Sequence, residues 1–255
     1  MADLWLAAIG RFVIGRLTEI GRAMLLIGET ILQSGRINRR HSLSQMAHLG
    51  ADSLPIIGLT LLAAGAVMTL QIASVLITYG AQGTIGGLIT VAMGRELGPI
   101  LSGVVLAGRV GAAITAEIGT MKVTEQIDAL RVMAVSPIRY LVVPRVVACM
   151  LTVPVLSFYG VVIGVAGGYA VSVFLYDIPS AVYLDSIRTF SEITDVTYGL
   201  IKSCVFGAVI ALVGAYKGMT TGSGAEAVGF STTSSVVTSI ILVFVLNYFL
   251  SALLF

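Results

Sequence analysis

Arg95 and Glu96 are neighbours in a stretch, 53–108, that carries no other charge. Ionised groups at membrane depth are costly unless paired or wetted, so they are rarely kept for packing alone. A guanidinium offers a fork of donors that suits a phosphate. Pro99 follows three residues later, in Gly94-Arg-Glu-Leu-Gly-Pro99. Proline removes a helical donor and tends to kink a helix. A charged pair beside a helix break predicts a lined cavity. The plainer alternative is a pair at a membrane end, with long side chains snorkelling to water.

The elements that must position this pair are apolar. The chain has 255 residues, 57% hydrophobic and 11% charged, against about 25% charged in soluble domains. Lipid forces backbone groups to be satisfied within each span, which predicts an all-α integral membrane protein. A barrel would alternate apolar and polar positions, whereas Ile240-Ile-Leu-Val-Phe-Val-Leu246 is apolar throughout. A net charge of +2 is too small to imply a nucleic-acid partner. Cys149 and Cys204 fall in apolar spans and read as reduced packing residues.

Residues 1–53 form an N-terminal helical segment, and 54–255 the transmembrane domain. The start lacks the basic region and cleavage site of a signal peptide. Trp5, Ile9, Phe12, Val13, Leu17, Ile20, Met24, Ile27 and Ile31 recur near every 3.6 residues, with Arg11, Arg22 and Glu29 opposite. That pattern predicts an amphipathic helix in the membrane interface, with Arg16 out of place on the apolar side.

Five spans are expected, near 54–79, 85–121, 141–176, 196–216 and 230–255. The second exceeds the ~20 residues of one straight crossing, so it tilts, breaks near Pro99 or projects from the bilayer. Grouping the N-terminal segment, 122–145 and the 217–230 loop on one side puts eleven of the fifteen Lys/Arg there. The positive-inside rule then places the N-terminus in the cytoplasm and the C-terminus outside. Rows of small residues (Gly160, Gly164 and Gly168; Gly94 and Gly98; Ala107 and Gly111) allow close helix approach, within one subunit or between copies. Five spans without an internal repeat favour a homodimer around a shared cavity.

Between the second and third spans lies Lys122-Val-Thr-Glu-Gln-Ile-Asp-Ala-Leu-Arg-Val-Met133. Thr124 is expected to cap a short helix whose positive end meets Glu125 and Asp128. Ile127, Leu130 and Met133 would form an apolar stripe, Asp128 and Arg131 an ion pair, and Pro137 the stop. The stripe could fill a groove in a soluble partner, or lie on the membrane or on its own domain.

Catalytic signatures are absent. No Gly-x-x-x-x-Gly-Lys-Ser/Thr run occurs, so the chain has no P-loop. Gly222-Ser-Gly-Ala-Glu-Ala227 follows a span rather than a strand and is discounted. His41 and His48 are too poorly spaced for a metal site. An enzyme is disfavoured, although an active site on Glu96 and Glu117 is the competing reading, together with a passive channel.

Gly94-Arg-Glu-Leu-Gly-Pro99, Ala107-Gly-Arg-Val-Gly-Ala-Ala113, Ala116-Glu-Ile-Gly-Thr-Met-Lys122, Thr124-Glu-Gln-Ile-Asp-Ala-Leu130 and Val142-Val-Pro-Arg145 together resemble the MlaE (YrbE) permease family. Ile201-Lys-Ser203 and Ala225-Glu-Ala-Val-Gly-Phe-Ser231 fit too, so the resemblance runs from about residue 40 to the end. It implies an ABC transporter permease of the inner membrane that moves phospholipid between inner and outer membranes. Two copies would pair with cytoplasmic ATPase subunits, which hold ATP and Mg; no cofactor is expected in this chain. A hexamer of MCE-domain proteins and a STAS-domain protein are the further partners implied. Thr124, Glu125, Gln126, Ile127, Asp128, Leu130 and Arg131 would couple to the ATPase.

On that resemblance, an outward-facing apolar cavity lies along the dimer axis. Its wall is expected from Leu61, Leu62, Val67, Leu70 and Ile72 of the first span and Leu242, Phe244, Leu246, Phe249 and Leu250 of the fifth. Arg95, Glu96, Lys202 and Asn247 would hold the dimer or meet the headgroup. Lys202 has an alternative role as internal glue to Glu96 or Glu117. Asn247 is uncharged, so an ion pair at that place in the fifth span is lost.

Overall fold

A computed structural model describes residues 2–33, 45–47 and 49–254. His41 and His48, and the side chains of Trp5, Ile9, Arg11, Phe12, Val13 and Arg16, lie outside the described residues. Among these residues there are helices and no strand. The elements are α1 (Ala2–Gln33), α2 (Leu54–Thr78), α3 (Gln82–Val123), α4 (Gln126–Val132), α5 (Ile138–Phe174), α6 (Ser180–Phe190), α7 (Ile193–Met219) and α8 (Ala225–Leu254). Five of them, α2, α3, α5, α7 and α8, are long and apolar enough to cross a membrane. They alternate in direction, so α1, α4 and the α7–α8 turn lie at one end of the bundle. The 79–84 turn and α6 lie at the other.

The second span does not break at Pro99. Two π segments, Met93–Leu97 and Ala107–Gly111, interrupt a helix that is otherwise continuous through Gln82–Val123. The first ends two residues before Pro99, and the intervening Gly98 N–H donates to the Met93 carbonyl. The wider π turn leaves room for the proline ring, and the helix carries on past it. At 1.5 Å per residue, α2 is about 37 Å long and α3 about 63 Å. The two share the 79–84 turn, so the excess of α3 projects at the α4 end.

Small residues set the helix distances within the protomer. A Cβ on Gly65 would run into the Gly164 carbonyl, and one on Gly167 into the Leu62 carbonyl. Gly160 and Gly164 seat Leu61 and the Met93 side chain, which makes the row a seam between α2 and α5. Leu61 is consequently fully buried, and its expected place on an open cavity wall is corrected. Leu62, Val67 and Leu70 stay exposed on α2. α8 buries only Ser235, Ser239 and Val243 and leaves Phe244 and Phe249 exposed.

α6 closes the end opposite α4. Gly86 and Gly87 of α3 sit against Tyr183, Ser186 and Phe190, and Gly87 N–H donates to Ser186 Oγ at 2.8 Å. Tyr183 OH donates to the Val165 carbonyl. Burial pushes the Tyr183 phenol up, so it remains a neutral donor.

α4 differs from expectation in its cap and its stop, and its stripe takes one of the alternatives left open, its own domain. Thr124 does not cap it; that residue ends α3, and its hydroxyl bonds back to the Thr120 carbonyl at 2.8 Å. Glu125 precedes the helix in a left-handed conformation (φ 60°), which turns the chain between the two helices. Ile127 is buried and Leu130 half-buried against the bundle, so this part of the stripe packs on its own protein while Met133 is exposed. The stop is Ala134 rather than Pro137. Ala134 N–H donates to the Arg131 carbonyl, Val135 N–H to the Leu130 carbonyl, and Ala134 takes φ 59°, a Schellman ending.

Candidate functional site

Pro99 has no N–H for the carbonyl four residues back, which is that of Arg95. Lys202 Nζ, from α7, donates to that oxygen at 3.0 Å. It also donates to Glu96 Oε1 at 2.7 Å and to Ser251 Oγ at 2.7 Å. An ammonium has three donors, and all are engaged on a side chain with no exposure. Glu96 is 37% exposed. Its other oxygen, Oε2, accepts from Asn247 Nδ2 at 2.8 Å, and Ser251 Oγ lies 2.8 Å from Oε1. The cluster thus ties α3, α7 and α8 together with a paired charge. Of the two acids considered for Lys202, Glu96 is the partner. Asn247 supports the pair through a neutral donor.

Arg95 turns to a different acid. Its Nε donates to Asp195 Oδ1 at 2.7 Å, and one terminal nitrogen lies 2.6 Å from the same oxygen. Asp195 is buried in the first turn of α7, where its other oxygen accepts from Glu192 N–H and completes a capping box. The Arg95 side chain stays 40% exposed. The arrangement presents one cation and one carboxylate edge on an apolar surface, each held from behind by a buried partner. Each charge is positioned by its partner, Arg95 by Asp195 and Glu96 by Lys202.

Two further ion pairs lie toward the α4 end. Arg109, in the second π segment, donates to Ser53 Oγ at 2.6 Å and lies 3.5 Å from Asp52. Arg145 of α5 lies 2.7 Å from Glu117 of α3 and donates to the Leu141 carbonyl. Glu117 therefore serves Arg145, and not Glu96 in a carboxylate pair; the two acids are separated by 21 residues of α3. The connector carries the Asp128–Arg131 pair at 2.9 Å on its exposed face. Among the described residues no group of His, Cys, Asp and Glu could hold a metal ion.

Leu70 and Leu246 do not meet within one protomer. Leu70 faces outward on α2, and Leu246 is half-buried beneath α1 together with Leu242. Sequence reasoning missed Asp195, Ser251 and Arg145. Asp195 had a signal in Glu192 three residues earlier, a helix-start spacing. Ser251 had none, because a serine in an apolar helix ordinarily bonds its own backbone.

A family profile described as Permease MlaE matches residues 42–253. The chain belongs to the MlaE permease family. Like this member, a probable ABC transporter permease protein of Synechocystis sp. matches over most of its length: 48% identity over 235 residues, covering 91% of this chain and 89% of the other. A probable ABC transporter permease protein of Rickettsia typhi is 45% identical over 211 residues, 83% and 82% of the two chains. The chloroplastic protein TRIGALACTOSYLDIACYLGLYCEROL 1 of Arabidopsis thaliana is 37% identical over 233 residues, 91% and 67%. This MlaE permease is a multi-pass membrane protein with its charge cluster inside the matched region.

Proposed function

We propose that this chain is the permease subunit of an ABC transporter that moves phospholipid between the inner and outer membranes. The observation that carries the reading is the Permease MlaE match over 42–253. The relatives named as ABC transporter permeases, and one named after a lipid, favour it. The chain does no chemistry itself; ATP and Mg belong to a separate cytoplasmic ATPase, consistent with a sequence that holds no P-loop.

In this reading the protein sits in the inner membrane, N-terminus in the cytoplasm and C-terminus in the periplasm. Two copies face each other across a cavity. Exposed Leu62, Val67 and Leu70 of α2 and Phe244 and Phe249 of α8 take acyl chains, at about 0.8 kcal/mol per buried CH₂. Arg95 meets the headgroup phosphate. α4 couples to the ATPase through exposed residues on it and just before it, among them Glu125, Gln126, Asp128, Arg131 and Val132. An MCE-domain hexamer receives or delivers lipid on the periplasmic side, and a STAS-domain protein binds the ATPase.

The test is reconstitution with the ATPase in proteoliposomes carrying fluorescent phospholipid. ATP-dependent movement of the label that stops with a hydrolysis-dead ATPase is the expected result. Lipid turnover without ATP would mark an enzyme instead, and ion conductance a channel.

A further inference from the structure

An apolar groove of ≈ 570 Å³ runs between α1, α7 and α8. Met24, Val213, Leu242 and Leu246 line it, and Glu19 and Lys217 stand at its rim. Its depth relative to the apolar slab can be read from neighbouring contacts. Arg109 bonds Ser53, the residue before α2, so it marks where the first span begins. One half-turn on, a Cβ on Gly111 would touch Ile210 of α7 and approach Ser239 of α8. Lys217 lies seven residues from Ile210 toward the α4 end, about 10 Å outward. Leu246 lies seven residues from Ser239 in the opposite direction, about 10 Å inward. The groove therefore starts at headgroup level and descends into the acyl region.

Its size and charge choose the occupant. At roughly 30 Å³ per methylene-sized group, the volume fits one acyl chain and not two. Two turns of a partner's α-helix, about 10–12 Å across, need more room. Among the described residues no ion pair or hydrogen bond engages the Lys217 ammonium. Arg22 follows Glu19 by three residues and is exposed, so the rim carries two cations against one carboxylate.

We propose that this groove is a resident phospholipid site. One acyl chain from the α4-side leaflet lies under α1, with its phosphate at Lys217 and Arg22. The lid of the site is pegged at two points. Tyr216 OH donates to the Glu19 carbonyl at 3.2 Å, and Ser136 Oγ to Gln33 Oε1 at 2.9 Å. Ser136 lies four residues beyond α4, so the lipid is the filler that holds α1 against the connector. The site does not depend on the transport reading.

Full-length protein in nanodiscs with phosphatidylglycerol bearing a chain diazirine tests it. Photolabel is expected on peptides spanning 209–217 and 238–246. Val213→Trp and, from the facing wall, Ala23→Phe should each abolish that label while labelling of the exposed α2 face persists, which reports a folded chain. Lys217→Ala should lower it about five-fold, one cation's share of anionic-lipid attraction, and leave a diazirine diacylglycerol unaffected. Groove labelling that survives both filling variants overturns the proposal. So does equal labelling by diacylglycerol, or a cross-link to a partner protein's helix in place of lipid.

Discussion

Lys202 reaches the backbone oxygen of Arg95 because Pro99 leaves that oxygen without its helical donor. The lysine therefore completes a helix as well as an ion pair. Replacing it removes three bonds from a fully buried position and leaves Glu96 to water and two neutral donors. Lys202→Met should cost about 3–5 kcal/mol, the usual penalty for breaking a buried pair from one side. The double variant with Glu96→Gln should recover part of it. Thermal unfolding of the purified variants checks the order; a Lys202→Met melt equal to wild type would show the pair to be dispensable.

Close backbone approach between α2 and α5 gives a second expectation. Gly65→Ala pushes a methyl into the Gly164 carbonyl and should destabilise by about 1–3 kcal/mol or more, as overpacking does. Gly108→Ala, with open space around its Cβ, is the matched control. It should be neutral or stabilising by about 0.5–1 kcal/mol, since alanine restricts the helix less unfavourably than glycine. Equal melts for the two would mean that the seam is loose.

The left-handed turn after α4 is occupied by alanine. A left-handed residue with a Cβ costs roughly 1–2 kcal/mol, and glycine returns about 0.5–1 kcal/mol of that as unfolded-state entropy. Ala134→Gly should thus raise the melting temperature slightly, by about 1–2 °C in a chain of this size. A lowered melt would place the cost of the turn elsewhere.

Coupling should depend on what α4 leaves outside. Arg131→Ala combined with Val132→Asp is expected to lower permease-stimulated ATPase activity at least about ten-fold, equivalent to ~1.4 kcal/mol of interface. Ile127→Ala should instead lower stability with little effect on the stimulation per folded molecule, because Ile127 is buried in the bundle. The reverse pattern would put the partner on the other face.

The five spans were legible because an uninterrupted apolar run of that length is long enough to cross the hydrocarbon core and too greasy for water. Arg95, Glu96 and Lys202 stood out for the same reason: charge in such a run needs a partner. What periodicity could not reveal was local backbone geometry. The π segments keep the same residues apolar as an α-helix would, so the sequence around Pro99 reads as a break. The spacing of Ile127 and Leu130 suits a partner, the membrane or their own domain equally, and after the left-handed Glu125 they lie on their own bundle. Asp195 meets Arg95 across 100 residues of sequence, a pairing that only the packing of the helix beginning at Ile193 against the second span creates.

Each π segment in α3 holds one residue more than an α-turn would use, and each has an arginine at its centre. Taking that residue out of either would let the segment close as an ordinary α-turn, with the helix on both sides keeping its course. The loss would therefore be felt at the bulge itself: within 93–97 on Arg95 and Glu96, which meet Asp195 and Lys202, and within 107–111 on Arg109, which meets Ser53. Arg145 would still find Glu117, and α4 would keep its seat. Each arginine thus owes its direction to a residue that the helix could shed without changing its path.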